Sequence, residues 1–191
     1  MKSGPTKSGI ERVLDSTPNI SIIMANYNNG HLISTAVNSV TAQTHTDWEL
    51  VIVDDCSTDV SVSVIKSLAE SDARIRYTQN DKNRGVGFTK RRAVKESQGV
   101  IVAVLDHDDA IVEDALEIIL KAHADCPSAS LCWSEHWICD ENLKIVEKSN
   151  SIFNGDEKMG YLLARPGDIH HLWSFKRGAY FRTAGFDDRL R

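Results

Sequence analysis

Three carboxylates, Asp106, Asp108 and Asp109, follow the apolar run Val100 to Leu105, with His107 among them. Carboxylates this close repel one another, and a hard divalent cation with oxygen ligands relieves the repulsion. Mg²⁺ is usually held by one or two carboxylates and the phosphates of a ligand, and Mn²⁺ suits the same ligands. The cluster therefore predicts an enzyme that binds a phosphorylated ligand through a metal. The alternative is that Asp108 or Asp109 caps the next helix or forms an Asx turn.

A second acidic pair, Asp54-Asp55, ends the apolar run that begins at Glu49. The carboxyl ends of parallel strands share one edge of a sheet, so we expect this pair to lie near the first cluster. Carboxylates at that edge can accept hydrogen bonds from a base N–H or a ribose hydroxyl. Capping of the next helix by Ser57 or Asp59 is the competing explanation, and it accounts for only one acid.

A turn-rich segment, Ala25 to Gly30, follows the first apolar run. Tyr27 at a sheet edge can stack on a nucleobase, and the small Ala25 lets a ligand approach the backbone. Packing of Tyr27 over its own loop is equally compatible with the composition. The segment carries no glycine-rich phosphate fingerprint, which argues against an NAD-linked dehydrogenase and a P-loop NTPase.

A glycine-bearing loop, Asn83 to Gly87, precedes a helix that carries Lys90, Arg91 and Arg92. Backbone N–H groups around Gly85 and at the helix N-terminus can hold phosphate, and a cation adds to that attraction. Lys90 is the cation that we expect to face a diphosphate. A loop followed by a solvated basic helix face explains the other two cations.

The late half of the chain offers weaker candidates. Trp133 and His171 could line a donor or acceptor pocket, and Glu135, His136 and Trp137 have the same standing. Each has a structural alternative, because a histidine is more often structural than a ligand and residues of a half-buried hairpin alternate between its two faces.

The elements that must position these residues alternate between strand and helix. The predicted order is strand Ile20 to Ala25, helix His31 to Gln43, strand Glu49 to Asp54, helix Val60 to Glu70, strand Ile75 to Gln79, helix Gly87 to Ser97, strand Val100 to Asp106 and helix Glu113 to Ala124. Four such repeats with apolar strands predict an α/β fold whose parallel sheet is covered by helices on both faces.

After Pro127 the alternation stops. We predict two antiparallel strands appended to the sheet as a hairpin, then a loop or lid, a last strand and a short helix. Their bounds are Ser130 to Ile138, Lys144 to Lys148, Ser149 to Asp168, His170 to Phe175 and Arg177 to Ala184.

The whole-chain properties favour one domain over residues 20–191, preceded by a flexible arm over residues 1–19. A formal charge of −5 gives no general attraction to nucleic acid. The apolar runs fall short of the ~20 residues of a membrane span. The four cysteines form no C-x-x-C pair, so we expect free thiols and a chain that resides in the reducing cytoplasm. Peripheral association with the cytoplasmic face of a membrane is compatible with this expectation.

Together these motifs resemble the family 2 glycosyltransferases of GT-A fold over about Ile20 to Leu190. The matching stretches are Ile22 to Asn28, Trp48-Glu49 with Val51 to Asp59, Asn83-Arg84-Gly85 and Leu105 to Asp109. The resemblance implies a mostly parallel, Rossmann-like sheet and a nucleotide-diphospho-sugar donor, most often UDP-linked, bound with Mn²⁺ or Mg²⁺. It further implies transfer, usually with inversion, to a hydroxyl group of a glycan, lipid-linked or other acceptor in glycan or polysaccharide synthesis.

The resemblance also implies roles by position. Ala25 and Tyr27 match positions that contact the base, and Asp55 matches a position that contacts the base N–H. Lys90 matches a position that contacts the diphosphate, Asp106 one that contacts the ribose and Asp108 one that binds the metal. The resemblance also places Asn26, Asp54 and Gly85 among the residues that bind the nucleotide, and Asp106 beside Asp108 as a metal ligand. The residues that it implies for the donor or acceptor pocket are His107, Asp109, Trp133 and His171.

Two departures accompany the resemblance. Family members carry a Glu-Asp pair after the segment that matches Gly185 to Leu190, and its base is expected beyond Arg191. The competing hypothesis is therefore a non-catalytic or truncated nucleotide-sugar-binding module. A third hypothesis is a sugar-nucleotide pyrophosphorylase. Such an enzyme requires a glycine-rich basic loop after the first strand, and the segment Asn26 to Gly30 does not provide one. Cys56 stands where members often have glycine. The sugar, the acceptor and the oligomeric state stay open.

Overall fold

The computed structural model describes residues 17–140, 142–148 and 172–189. The predicted arm over residues 1–19 lies outside the described residues except for Thr17 to Asn19. The predicted loop Ser149 to Asp168 and the candidate His171 also lie outside them. No helix in the described ranges is long and apolar enough to cross a bilayer.

The core of the fold is a six-stranded sheet with the strand order β3-β2-β1-β4-β8-β5. Its strands are β1 (Ile20–Asn26), β2 (Trp48–Asp54), β3 (Ile75–Gln79), β4 (Ile101–Val104), β5 (Leu131–Trp133) and β8 (Trp173–Lys176). The first four are parallel, whereas β8 runs antiparallel to both β4 and β5. In the β1–β2 register Asn26 pairs with Asp54, so the two predicted turn motifs leave the sheet side by side.

Helices cover both faces of this sheet. They are α1 (Ile33–Thr41), α2 (Ser61–Ser71), α3 (Val86–Glu96), α4 (Ala115–Asp125) and the short α5 (Arg177–Tyr180). Met24 and Ile52 point into one core with Leu116 of α4, while the alternate residue Ile23 points into a second core with Ala93 of α3. Burial on both faces explains why the central strands read as continuous apolar runs.

The structure corrects the predicted strand Ser130 to Ile138. The polar residues at 134–136 interrupt it, so β5 ends at Trp133 within the main sheet. The chain then forms β6 (Trp137–Cys139), which pairs with β7 (Ile145–Lys148) in a separate two-stranded sheet. The hairpin is antiparallel as predicted. It is not part of the six-stranded sheet, because β8 and β5 occupy the edge beside β4.

Candidate functional site

A cavity of about 330 Å³ opens where β1, β2 and β4 end. Its size lies within the range of ligand pockets. Of the predicted site residues it gathers nine, although they are spread over 84 positions of the chain. The lining residues are Ala25, Asn26, Tyr27, Asp55, Asn83, Gly85, Val86, Thr89, Lys90, Asp106, His107 and Asp108.

Reciprocal hydrogen bonds hold the two loops that leave β1 and β2. The backbone N–H of Asn28 donates to the Ser57 hydroxyl (2.9 Å), and the Thr58 N–H donates to the Asn28 side-chain oxygen (2.7 Å). Cys56 has φ of 65°, in the left-handed region where glycine is favoured. Glycine would adopt this conformation without strain, which agrees with the glycine that the resemblance implies at this position.

Asp54 lies behind the cavity and not in its wall. Its side chain is buried, and it accepts hydrogen bonds from the side chains of Asn26 (2.9 Å) and Gln79 (3.1 Å) and from the N–H of Ser57 (2.8 Å). The Ser57 hydroxyl donates as well, at 2.5 Å. Four donors from this chain satisfy the carboxylate, so the prediction that Asp54 contacts the nucleotide is corrected. Asp54 fixes the loops instead.

Asp55 lines the cavity and also holds the turn before α3. Its carboxylate accepts hydrogen bonds from the Asn80 side chain (2.7 Å) and from the backbone N–H groups of Arg84 and Gly85 (both 2.8 Å). Gly85 has φ of 88°, a backbone conformation that other residues adopt only with strain. The contact of Asp55 with a base N–H stays a prediction.

The structure separates the three cations of α3. Lys90 places its Nζ 2.6 Å from Oδ1 of Asp106, with only 15% of its side chain exposed. Arg91 donates to the backbone carbonyls of Phe186 (3.0 Å) and Ala184 (2.8 Å), whereas Arg92 pairs with Glu96 (2.7 Å). Within the described part of the chain, Lys90 is therefore the only Lys or Arg among the lining residues.

The acidic cluster divides between two roles. Asp106 and Asp108 line the cavity, and Asp108 is exposed. Asp109 donates its N–H to the Asp106 carbonyl (3.2 Å) in a turn, and the N-cap position of α4 is Asp114. Neither Asp108 nor Asp109 thus occupies the N-cap position of the next helix.

The arrangement fits a cation that takes few ligands from protein. Across the described ranges, no group of three or more His, Cys, Asp or Glu side chains could hold a metal ion. Asp106 and Asp108 can supply two carboxylates, which leaves the other coordination positions to phosphate oxygens and water. Mg²⁺ and Mn²⁺ accept such a ligand set, whereas a structural zinc site does not.

A second cavity, of about 380 Å³, lies on the other side of Asp108. Asp109 and Trp137 line it, together with apolar side chains of α4 such as Ile119. Trp133 lines neither cavity. It is the last residue of β5 and pairs in register with Trp173 of β8. The residues that follow it, from Ser134 onward, line the second cavity. The predicted pocket role of Trp133 is therefore corrected.

Sequence reasoning missed Thr89 and Asn80. Val86, Thr89 and Lys90 stand at the i, i+3 and i+4 spacing of one helix face. Once Lys90 was assigned to the cavity, this spacing could have identified the other two. Asn80 offers no such signal, since it reaches Asp55 across the end of β3.

The comparisons with known proteins concern the family and the fold of this chain. The family model described as glycosyl transferase family 2 matches residues 21–182. The Escherichia coli UDP-Glc:α-D-GlcNAc-diphosphoundecaprenol β-1,3-glucosyltransferase WfgD is 38% identical over 99 residues, which are 52% of this chain and 38% of that protein.

Two solved structures are similar to the fold. The mannosyltransferase PcManGT from Pyrobaculum calidifontis, in complex with GDP-Man and Mn²⁺, superposes with a TM-score of 0.67 at 22% identity, over 91% of this chain and 49% of that chain. TarS from S. aureus in complex with UDP superposes with a TM-score of 0.72 at 20% identity, over 90% of this chain and 51% of that chain. These likenesses confirm the predicted GT-A fold. The chain spans about half of each solved chain and less than half of WfgD.

Proposed function

Because the chain belongs to glycosyl transferase family 2, we propose that it binds a nucleotide-diphospho-sugar with Mn²⁺ or Mg²⁺ and transfers the sugar, with inversion, to a hydroxyl group in polysaccharide synthesis. One observation carries the proposal. A single cavity at the carboxyl edge of the sheet gathers the aromatic Tyr27, the cation Lys90 and the carboxylates Asp106 and Asp108. These groups match a base, a diphosphate and a divalent cation.

The base and ribose occupy the β1 and β2 side of the cavity in this proposal. Tyr27 is 43% exposed, and its ring could stack on a base. The small side chain of Ala25 would let a base approach the backbone beside it, and Asp55 presents a carboxylate that can accept a hydrogen bond from a base N–H. We assign UDP as the first nucleotide to test, since UDP or a UDP-sugar is named with TarS and with WfgD.

The diphosphate lies toward α3. Gly85 and Val86, at the start of this 11-residue helix, line the cavity, and backbone N–H groups at a helix N-terminus attract anions. Lys90 adds a mostly buried positive charge one turn further on. A buried cation interacts more strongly with phosphate than an exposed one, because water screens it less.

Asp106 and Asp108 would hold the divalent cation. When bound, that cation neutralises negative charge that develops on the diphosphate as the sugar leaves. The Mn²⁺ complex of PcManGT supports this choice of metal class. Lys90, whose Nζ lies 2.6 Å from Oδ1 of Asp106, would supply a second positive charge to the leaving diphosphate.

The acceptor would approach through the second cavity. Asp108 lines both cavities, so an acceptor hydroxyl that reaches Asp108 from this side meets the donor sugar at the cation. The lining combines the polar Asp109 and Glu135 with the aromatic Trp137. Such a mixture suits a sugar, whose hydroxyl groups need hydrogen bonds and whose faces stack on aromatic rings.

The proposal is tested by calorimetric titration with UDP, GDP, dTDP and CDP, each with and without Mn²⁺. We expect metal-dependent binding of one diphosphate. In Asp108→Ala the loss of a metal ligand should weaken that binding by at least about tenfold. Asp125→Ala is the matched control, because it removes an exposed carboxylate of α4 that lines neither of the two cavities. Equal affinity with and without Mn²⁺ contradicts the metal assignment, and no binding of any of the four contradicts the donor.

A further inference from the structure

The ion pair between Lys90 and Asp106 joins two side chains with different proposed ligands. Lys90 faces the diphosphate in the proposed function, and Asp106 contributes to the cation site. In the structure their Nζ and Oδ1 atoms lie 2.6 Å apart, with 15% of the Lys90 side chain and 36% of the Asp106 side chain exposed. Each is therefore the counter-ion of the other, and water screens the charge of the mostly buried Lys90 less than that of Asp106.

Most neighbouring charged groups are already engaged with other partners. Asp55 already accepts three hydrogen bonds around the turn before α3. Arg91 and Arg92 are bound to carbonyl groups and carboxylates away from the cavity. Of the described lining residues, only Asp108 offers Lys90 another exposed carboxylate.

Either ligand alone would leave an unbalanced charge. A cation that takes Asp106 leaves the mostly buried Lys90 beside a second positive charge. A diphosphate that takes Lys90 leaves Asp106 and Asp108 facing its negative oxygens. When both bind, Lys90 pairs with phosphate and both carboxylates pair with the cation, so every charge has a partner.

We propose that the Lys90–Asp106 ion pair makes the binding of a divalent cation and of a nucleoside diphosphate mutually dependent, so that the site selects the two together over either one alone. The inference rests on the proposed function. Linkage requires that each ligand raise the affinity for the other by the same factor, and such factors commonly lie between about 5 and 150.

The decisive variant is Lys90→Met, which keeps an unbranched side chain one heavy atom shorter and removes the charge. Free Asp106 should bind Mn²⁺ alone at least about threefold more tightly, while UDP with Mn²⁺ should bind at least about tenfold more weakly, so the coupling factor falls toward one. Mn²⁺ binding can be read from the electron paramagnetic resonance signal of the free ion, and UDP binding from calorimetry. Lys95→Met is the control, because it removes an exposed cation of the same helix.

Unchanged or weaker binding of Mn²⁺ alone to Lys90→Met overturns the inference, as does an unchanged coupling factor. Should that variant fail to fold by circular dichroism, Asp106→Asn tests the pair from the other side. It frees Lys90, so UDP without metal should bind more tightly than it does to the unmodified chain, and the opposite sign overturns the inference. If no diphosphate binds the unmodified chain, the proposed function fails, and the Mn²⁺ titration still reports whether Lys90 restrains Asp106.

Discussion

Asp55 combines two tasks at the scale of a single residue. It lines the cavity and its carboxylate receives two backbone N–H groups from the turn that starts α3. Hydrogen bonds to a charged acceptor contribute more than neutral ones, and a buried donor that loses its acceptor is costly. The position of α3, and with it Lys90, therefore depends on this one side chain.

Replacement of Asp55 by asparagine should lower the stability of the whole chain. The amide nitrogen of the variant would face the Gly85 N–H, donor against donor, so we expect a loss of about 1.5 to 3 kcal/mol in the free energy of unfolding. Urea denaturation measures it. Asp81→Asn in the same loop region is the control, since the Asp81 side chain is 78% exposed. Equal stability of the two variants contradicts the role given to Asp55.

The sequence predicted the identity of most cavity residues but not their separate tasks. Asp54 and Asp55 are adjacent and chemically identical, and both were expected to reach the nucleotide. In the structure the first is enclosed by four donors and the second lines the cavity. Alternation along a strand gives neighbouring side chains opposite surroundings, and only the packed fold shows which of the two faces the ligand.

At the scale of elements, His123 joins α4 to the antiparallel end of the sheet. Its Nε2 lies 3.0 Å from the Ser174 hydroxyl of β8, and its Nδ1 lies 3.7 Å from the Cys132 sulfur of β5. His123 follows Leu116 and Ile119 on the buried face of α4. Helical spacing alone could place it on that face, but the strand it contacts comes about fifty positions later along the chain.

The stability of this junction should depend on pH. Burial lowers the pKa of His123, and the positive charge of Lys176 lowers it further. The folded chain thus keeps His123 neutral where the unfolded chain, with a histidine pKa of about 6.5, already binds a proton. Stability should fall as the pH drops below that value, because the unfolded state binds more protons.

Urea denaturation between pH 8 and pH 5, a range of about one unit or more on each side of the unfolded pKa, measures this dependence. His123→Gln keeps a polar group near Ser174 and does not titrate, so its stability should vary less over that range. His31→Gln, which removes an exposed histidine, is the control variant. A pH profile of His123→Gln identical to that of the unmodified chain excludes His123 as the source.

At the scale of the whole molecule, the two halves of the chain were not equally predictable. The four βα repeats between Ile20 and Asp125 follow local patterns, and their order in the sheet places the cavity at the carboxyl edge. The later half depends on distant contacts, since β8 inserts between β4 and β5. An arrangement of that kind leaves little local trace in the residues of β5, so the sequence predicted a single long strand there.

The same division predicts how protection from hydrogen exchange is distributed. Every residue of β6 and β7 is exposed, and in the described part of the chain these strands pair only with each other. A two-stranded hairpin is marginally stable by itself, whereas the central strands open only with the whole domain. Backbone amides of β6 and β7 should therefore exchange faster than those of β1 and β2, by roughly two orders of magnitude or more.

Mass spectrometry of deuterium uptake checks this difference, with β5 as the internal control. That strand is close to the hairpin along the chain, and it is hydrogen-bonded to β8 within the six-stranded sheet. It should exchange at a rate nearer to the central strands, because opening it breaks the junction that His123 also holds. Protection of the hairpin equal to that of β5 would contradict the prediction, since it would require another surface to cover β6 and β7.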